Sequence, residues 1–145
     1  MGAEIRFTSD ISVADYNHLR KTVGWSVIEE KQALTGIHNS VFLVAAVHGN
    51  KTVGMARVVS DGGYVVIIVD VIVLPDYQGQ GIGKSMMQKV MEYISNSLQE
   101  GQSVFVNLMA AKGRESFYSQ FGFETRPNEK NGAGMTQWIS RDQFQ

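Results

Sequence analysis

The segment from Leu74 to Lys84 constrains the fold most, because it places alternating glycines between a long apolar run and a helical pattern. Gly79, Gly81 and Gly83 have no Cβ, so the backbone can take positive φ values and a ligand can approach it closely. A helix that begins at such glycines leaves several N–H groups without partners inside the helix, at the positive end of its dipole. The sequence therefore predicts a strand, a turn that binds an anionic phosphate group, and a helix.

The spacing of the glycines excludes two common phosphate-binding motifs. A P-loop that ends in Gly83-Lys84-Ser85 would need a glycine at position 78, which is Gln78. The dinucleotide motif G-x-G-x-x-G fails from Gly79, because Lys84 takes the last glycine position, and it fails from Gly81 as well. Neither nucleotide-binding motif is predicted.

Two other motifs do match a known pattern. Gln78, Gly81 and Gly83 have the spacing Q-x-x-G-x-G after an apolar strand, and residues 114–123 form a helical segment with a tyrosine and a glycine-hydrophobic exit. With these motifs the chain resembles the GNAT superfamily of N-acetyltransferases, over residues 41–123 or so. The resemblance implies an α/β GNAT acyl-CoA N-acyltransferase fold, in which helices flank a mixed central β-sheet. We expect a single domain over residues 1–145.

Apolar periodicity predicts the order of the elements. Strands are expected at residues 4–8, 41–47, 52–59, 64–73, 104–108 and 135–139, and the turn at 48–50 makes the second and third a hairpin. Helices are expected at residues 12–23, where Ser12 gives a capping signal, at 26–34 with a stop at Gly36, from 81 to a stop at Gly101, and at 113–121. The run from Tyr64 to Val73 is rich in β-branched residues, which is typical of a central strand covered on both faces. Antiparallel strands should come first and a parallel crossover should follow.

Composition excludes several classes of function. The 13 basic and 14 acidic residues give a net charge of −1, which attracts neither nucleic acid nor an anionic membrane. The chain has no cysteine, so disulfides, thiolate metal sites and a cysteine nucleophile are excluded. The 3 histidines are scattered without carboxylates at ligand spacing, so we expect no metal. The N-terminus has no pattern of a signal or transit peptide, and we expect a cytoplasmic protein.

The resemblance assigns the donor site. In the family the glycine segment binds the pyrophosphate of acetyl-CoA, and the strand before it pairs with the pantetheine arm. The residues that the resemblance assigns to acetyl-CoA are Val71, Ile72, Val73, Gln78, Gly79, Gln80, Gly81, Ile82, Gly83, Lys84 and Gly113. A backbone N–H of Val73, or of its neighbours Val71 and Ile72, would also meet the oxygen that becomes negative during transfer.

Tyr118 and Asp70 are the candidate catalytic residues. Tyr118 matches the tyrosine that many family members use as a general acid toward the CoA sulfur; a phenol of pKa about 10 can protonate a thiolate of pKa about 8.5. The alternative is an aromatic side chain that only packs. Asp70 is the one charged residue in an apolar strand, where a carboxylate is costly unless paired. It either binds or deprotonates the acceptor amine, or forms an ion pair with Arg57.

The acceptor site is predicted near the first two helices. Trp25 and Glu29 offer an aromatic surface and a carboxylate for a cationic amine, and Arg57 is assigned to the same site. We expect transfer of the acetyl group to a primary amine of a small molecule, by direct attack in a ternary complex. The alternatives are a protein N-terminus or lysine as acceptor, and a non-catalytic acyl-CoA-binding module. Dimers are common among GNAT proteins, so a homodimer is compatible with the resemblance.

Overall fold

The computed structural model describes residues 4–141. The chain forms two compact units, Met1–Met109 and Ala110–Gln145, which are described separately below. Within residues 4–141, no helix combines the length and the apolar character that crossing a bilayer requires.

The first unit contains a mixed sheet, as predicted. Its strands are β1 (Ile5–Thr8), β2 (Phe42–His48), β3 (Lys51–Ser60), β4 (Val65–Val73) and β5 (Phe105–Leu108), and they lie side by side in chain order. The pairs β1–β2, β2–β3 and β3–β4 are antiparallel, whereas β5 runs parallel to β4. A parallel pair needs a crossover, and the long helix between β4 and β5 supplies it.

Three helices belong to this unit: α1 (Val13–Thr22), α2 (Glu30–His38) and α3 (Ile82–Asn96). Ser12 caps α1 as predicted, since its hydroxyl accepts a hydrogen bond from the Asp15 N–H. A Cβ at Gly54 of β3 would lie 3.1 Å from the Met86 side chain of α3, whereas Arg57 of β3 faces α1. Alternate strand residues point to opposite faces, so α3 and α1 cover opposite faces of the sheet.

The core of the first unit lies mainly between α3 and the sheet. Met86 and Met87 are fully buried there with Val90, so these two methionines of α3 fill the core. The helix ends earlier than predicted, at Asn96, because the Ser97 hydroxyl donates to the Ile94 carbonyl and the chain then turns.

The second predicted helix was misplaced by about one turn. The helix begins at Glu30 rather than Ser26, because the Glu29 carboxylate accepts hydrogen bonds from the N–H groups of Lys31 and Gln32 and so caps the helix there. Gly36 does not end it. Helical bonding continues through the Asn39 N–H, and a glycine inside a helix weakens it without breaking it.

The strand β4 is interior to the sheet, between β3 and β5, but the prediction that it is covered on both faces was wrong at Ile67. That side chain is 38% exposed, while Val66 and Ile68 on the other face are buried. A β-branched run therefore overstated the cover on one face, because β-branched residues favour a strand without specifying what packs on each of its faces.

In the part of the second unit that the structure describes, up to residue 141, there is one short α-helix, α4 (Glu115–Ser119), within the predicted segment. It is shorter than predicted because the chain turns at both ends, at Gly113 with φ +86° and at Gly122 with φ +92°. The strand predicted at residues 135–139 is absent from the described structure. Trp138 and Met135 are exposed there, and an alternating pattern forms a strand only beside a partner.

Candidate functional site

The glycine loop between β4 and α3 has the open backbone that the sequence predicted. Gly79 and Gly81 have φ values of +80° and +84°, which residues with a Cβ rarely adopt. A Cβ added at either residue would meet no atom of the described structure within 4 Å. The glycines thus serve the backbone conformation, and the space beside them is open to a ligand.

The N-terminus of α3 is suited to an anion. Gly81 is the N-cap, and the first intrahelical bond runs from the Ser85 N–H to the Gly81 carbonyl. The N–H groups of Ile82, Gly83 and Lys84 precede that bond, and no described side chain caps the helix or adds an acid to its first turn. These donors and the helix dipole suit an anionic phosphate group. The Lys84 side chain is exposed beside them.

Two side chains of the loop hold it against the chain that precedes it. The Gln78 Nε2 donates to the Val73 carbonyl oxygen at 2.9 Å, and the Gln80 Nε2 donates to the Asp76 carbonyl oxygen at 3.4 Å. The short turn Pro75–Tyr77 is held in turn by a 2.6 Å contact between Tyr77 Oη and His48 Nδ1 of the β2–β3 hairpin. The loop is therefore fixed to the end of β4.

The strands β4 and β5 separate beside this loop. Their pairing ends at Ile68 and Leu108, although β4 continues to Val73. The Leu74 N–H donates to the Val53 carbonyl of β3. Because successive peptide groups of a strand point in opposite directions, the Val73 N–H points away from β3, toward the side where β5 has ended. An extended ligand arm could pair with β4 there.

A β-bulge lies at the point of separation. On β3 one residue, Ala56, lies between Met55 and Arg57. The partners of these two residues on β4 are Ile72 and Val69. Two residues, Asp70 and Val71, lie between those partners, so β4 has one extra residue. Asp70 has φ +54°, the left-handed conformation that favours glycine and that aspartate tolerates better than most residues.

The Asp70 carboxylate is bound by three side chains, and we call these four residues the Asp70 cluster. Arg20 Nη1 donates to Oδ1 at 2.8 Å, while Arg57 Nε and Tyr16 Oη donate to Oδ2 at 2.8 Å and 2.6 Å. The side chains of Asp70 and Arg20 are 7% and 8% exposed, and that of Arg57 is 15% exposed. The ion pair predicted between Asp70 and Arg57 is therefore present.

Two groups of the Asp70 cluster have shifted pKa values. Burial and the hydrogen bond to Asp70 raise the pKa of Tyr16, so its phenol is neutral at physiological pH. Burial would lower the pKa of Arg57, but the hydrogen bond to Asp70 and nearby negative charge raise it instead. Two guanidinium groups share one carboxylate, and backbone carbonyl groups of Ser26 and Gly36 accept further bonds from them.

The predicted acceptor residues make contacts of their own. The Trp25 ring lies over Arg20, with 5.4 Å between its centroid and the Arg20 Cζ, and Glu29 caps α2. Hydrogen bonding to backbone N–H groups lowers the pKa of Glu29. The structure thus brings Trp25 to the Asp70 cluster, whereas the Glu29 carboxylate is engaged at the helix end.

Tyr118 lies on α4 of the second unit. Its side chain is buried, and burial raises the pKa of its phenol, although the nearby charge of Arg114 acts in the opposite direction. Its ring packs edge-on against those of Phe117 and Phe123, with centroids 5.0 Å and 6.4 Å apart. Gly113 lies in the turn before α4.

Sequence reasoning missed Tyr16 and Arg20. A signal was available, because the two residues stand one helical turn apart on α1 and therefore share a face. An arginine on the buried face of a helix requires a carboxylate, and Asp70 was the evident candidate.

A cavity of about 350 Å³ lies at the other end of α3. It is lined by Tyr64, Tyr93, Ser97 and Leu98 among others, and none of its lining residues is charged. Because a helix rises about 1.5 Å per residue, this cavity is roughly 20 Å along α3 from Gly81. It is therefore separate from the glycine loop. Across the described residues, no three histidine, cysteine, aspartate or glutamate side chains come together as a metal site.

Comparisons with known proteins agree on one family. Residues 11–138 match the family model described as an acetyltransferase (GNAT) domain. A similar crystal structure is that of SA2161 from meticillin-resistant Staphylococcus aureus, a protein of unknown function and probable acetyltransferase. The two sequences are 36% identical and the TM-score is 0.84. The match covers 94% of this chain and 100% of that one.

Two plant relatives align along most of the chain. The histone acetyltransferase TAP1 of Glycine max is 32% identical in an alignment of length 143 that covers 89% of this chain and 60% of that protein. The chloroplastic serotonin N-acetyltransferase 2 of Oryza sativa subsp. japonica is 27% identical in an alignment of length 145 that covers 97% of this chain and 69% of that protein.

Proposed function

Because the chain belongs to the GNAT acetyltransferase family, we propose that it transfers the acetyl group of acetyl-CoA to a primary amine of a small molecule, in a ternary complex. The observation that carries the proposal is the open N-terminus of α3 beside the end of β4. The helix N-terminus offers donors to a pyrophosphate, and the Val73 N–H offers one to the arm that leads to the thioester. These two features stand next to each other in the first unit.

The donor side of the site follows from those features. Acetyl-CoA supplies an activated acetyl thioester. The backbone from Gln78 to Lys84 binds its phosphates, and Gly113 adds a further backbone contact. The β4 backbone around Val71 and Ile72 orients the thioester, while the Val73 N–H stabilises the negative charge that develops on the carbonyl oxygen. The amine then attacks the thioester directly, without a covalent enzyme intermediate.

Tyr118 completes the exchange of protons. The acceptor nitrogen bonds to the carbonyl carbon and loses a proton to solvent, the carbon–sulfur bond breaks, and the departing sulfur takes a proton from Tyr118 Oη. Its raised pKa keeps the phenol protonated at neutral pH. An acid must carry its proton when the leaving group departs, and a neutral phenol meets that requirement.

The geometry favours one of the two interpretations of Asp70. Both carboxylate oxygens already accept hydrogen bonds, three in total, from Arg20, Arg57 and Tyr16. A base needs an oxygen that faces the amine. The ion pair is therefore favoured, and direct binding or deprotonation of the acceptor by Asp70 stays a prediction.

The acceptor is the less constrained half of the proposal. Trp25, Glu29 and Arg57 surround the connection between α1 and α2 and its underlying sheet, where we place the amine. One relative is named for serotonin, a small amine, which supports this class. A second candidate is a protein lysine, which the name of the soybean relative favours.

A panel assay tests the proposal. The protein is incubated with acetyl-CoA and either aryl-alkyl amines, polyamines, amino sugars, or lysine peptides, and free CoA is measured with a thiol reagent. Release that depends on a small amine is the expected result. Release with peptides alone would favour the second candidate, and tight acetyl-CoA binding without any release would show a binding module instead. A cytoplasmic location and a homodimer belong to the same proposal.

A further inference from the structure

We propose that Arg20 and Tyr16 of α1 are positioning residues for acetyl transfer: they hold Asp70 in its left-handed conformation and so maintain the bulge that aims the Val73 N–H. The inference rests on the proposed function only for its consequence in catalysis. Its structural part, the dependence of the β4 backbone on two side chains of α1, can be tested without turnover.

The bulge determines which peptide groups of β4 face β3. Arg57 opposes Val69, and a regular antiparallel register would then place Val71 opposite Met55. Instead Ile72 stands there, because the bulge adds one residue. A shift of one residue exchanges the two sides of a strand. Without the bulge, the Val73 N–H would therefore turn toward β3 and be lost to a ligand.

The left-handed backbone at Asp70 is held by its side chain. Such a conformation is unfavourable for a residue with a Cβ and persists where the surroundings over-determine it. Here the carboxylate turns to the face of β3 that carries Arg57, and three donors bind it in a buried setting. Buried charge-assisted bonds of this length are strong, so they can maintain the strained backbone.

Two of those three donors come from α1, not from the sheet. Arg20 also donates from Nε to the Ser26 carbonyl and lies under the Trp25 ring, so it fixes the connection between α1 and α2 as well. Arg20 thus connects two parts of the proposed site. One is the segment around Trp25 that is predicted to bind the acceptor, and the other is the bulge at Asp70. A movement of one is transmitted to the other through a single guanidinium group.

Substitutions at Asp70 separate a backbone role from direct chemistry. Asp70→Gly and Asp70→Ala both remove the carboxylate, but only glycine adopts φ +54° freely. If the carboxylate acts through the backbone, kcat of Asp70→Gly should exceed that of Asp70→Ala by about tenfold, with the same Kd for acetyl-CoA. Equal and low kcat values for both variants would show that the carboxylate itself contacts the amine and would overturn the proposal.

Substitutions at Arg20 test the contribution of α1. We expect Arg20→Ala to lower kcat about tenfold while the KM for acetyl-CoA changes less than twofold, and Arg20→Lys to recover part of the loss. Lys21→Ala, an exposed neighbour on the same helix, is the matched control. If kcat of folded Arg20→Ala, measured well below its Tm, equals that of the unaltered protein, the proposal fails.

Amide hydrogen exchange keeps the inference separate from the proposed function. Faster exchange within residues 69–74 of Arg20→Ala and Tyr16→Phe, with the β2–β3 pairing unchanged, is expected whether or not the unaltered protein releases CoA. Unchanged exchange in residues 69–74 would overturn the positioning role. Absence of CoA release by the unaltered protein would instead overturn the proposed function.

Discussion

The side-chain amide of Gln78 donates a 2.9 Å hydrogen bond to the carbonyl oxygen of Val73 and thereby joins the glycine loop to the end of β4. In the proposed donor site this bond fixes the two halves relative to each other, since one half would bind phosphate and the other would meet the thioester arm. A loop that could move away from β4 would bind either part of the ligand less well.

The first prediction concerns that bond. Gln78→Ala removes the hydrogen bond to the Val73 carbonyl, whose net value is about 1 kcal/mol, so the Kd for acetyl-CoA should rise about fivefold or more in calorimetry. Gln99→Ala, at an exposed glutamine near the other end of α3, should leave the Kd unchanged. Equal affinities for both variants would show that the Gln78 amide does not position the loop.

The second prediction uses two glycines with nearly the same φ angle. Gly81 and Gly101 have φ values of +84° and +85°, and a Cβ at either would meet no described atom within 4 Å. Alanine should therefore cost each about the same stability, roughly 1 kcal/mol or somewhat more. Only Gly81→Ala should weaken acetyl-CoA binding, by at least tenfold, because only its backbone borders the phosphate site. Equal losses of affinity would contradict the loop assignment.

Local chemistry explains which parts of this structure were predictable. The glycine loop, the Ser12 cap and the β2–β3 hairpin depend on residues that are adjacent in sequence, and each was predicted. The bulge at Asp70 depends on Arg20, which lies 50 residues away, and no local pattern specifies it. The strand predicted at residues 135–139 failed for a similar reason, since a strand depends on a partner as much as on alternation.

The helix α2 shows the same limit on a smaller scale. Its apolar spacing indicated a helix, but the Glu29 carboxylate caps it and so fixes where it begins. From the sequence, the same carboxylate was predicted to bind the acceptor amine. Among the site residues, the ion pair between Asp70 and Arg57 was one of two interpretations of Asp70, and it is present because a lone buried charge requires a partner. Their partners on α1 depend on how that helix packs on the sheet.

The third prediction concerns the pH dependence of stability through Glu29. Its pKa is lowered by the bonds from Lys31 and Gln32, so its contribution to stability is present above the unfolded value of about 4.5 and is lost as pH falls through the lower folded value. Glu29→Gln should thus have a lower Tm than the unaltered protein at pH 7, and the difference should vanish in acid. Glu100→Gln is the control. A Tm equal to that of the unaltered protein at pH 7, with a raised KM for the amine, would assign Glu29 to the acceptor instead.

The fourth prediction concerns Tyr118. If its phenol protonates the departing sulfur, Tyr118→Phe should lower kcat about 100-fold or more, the usual range for a general acid, with the Kd for acetyl-CoA unchanged. Because burial raises the pKa, the unaltered enzyme should keep this proton beyond the ordinary value near 10, and its kcat should fall only above that pH. The raised pKa of Tyr118 also makes stability depend on pH. Its contribution to the free energy of unfolding is fully present below the unfolded pKa and is lost as pH rises through the folded pKa. Tyr64→Phe, at a tyrosine that is 67% exposed, should change neither quantity. A kcat that stays the same in Tyr118→Phe at every pH would leave Tyr118 with a packing role and require another proton donor.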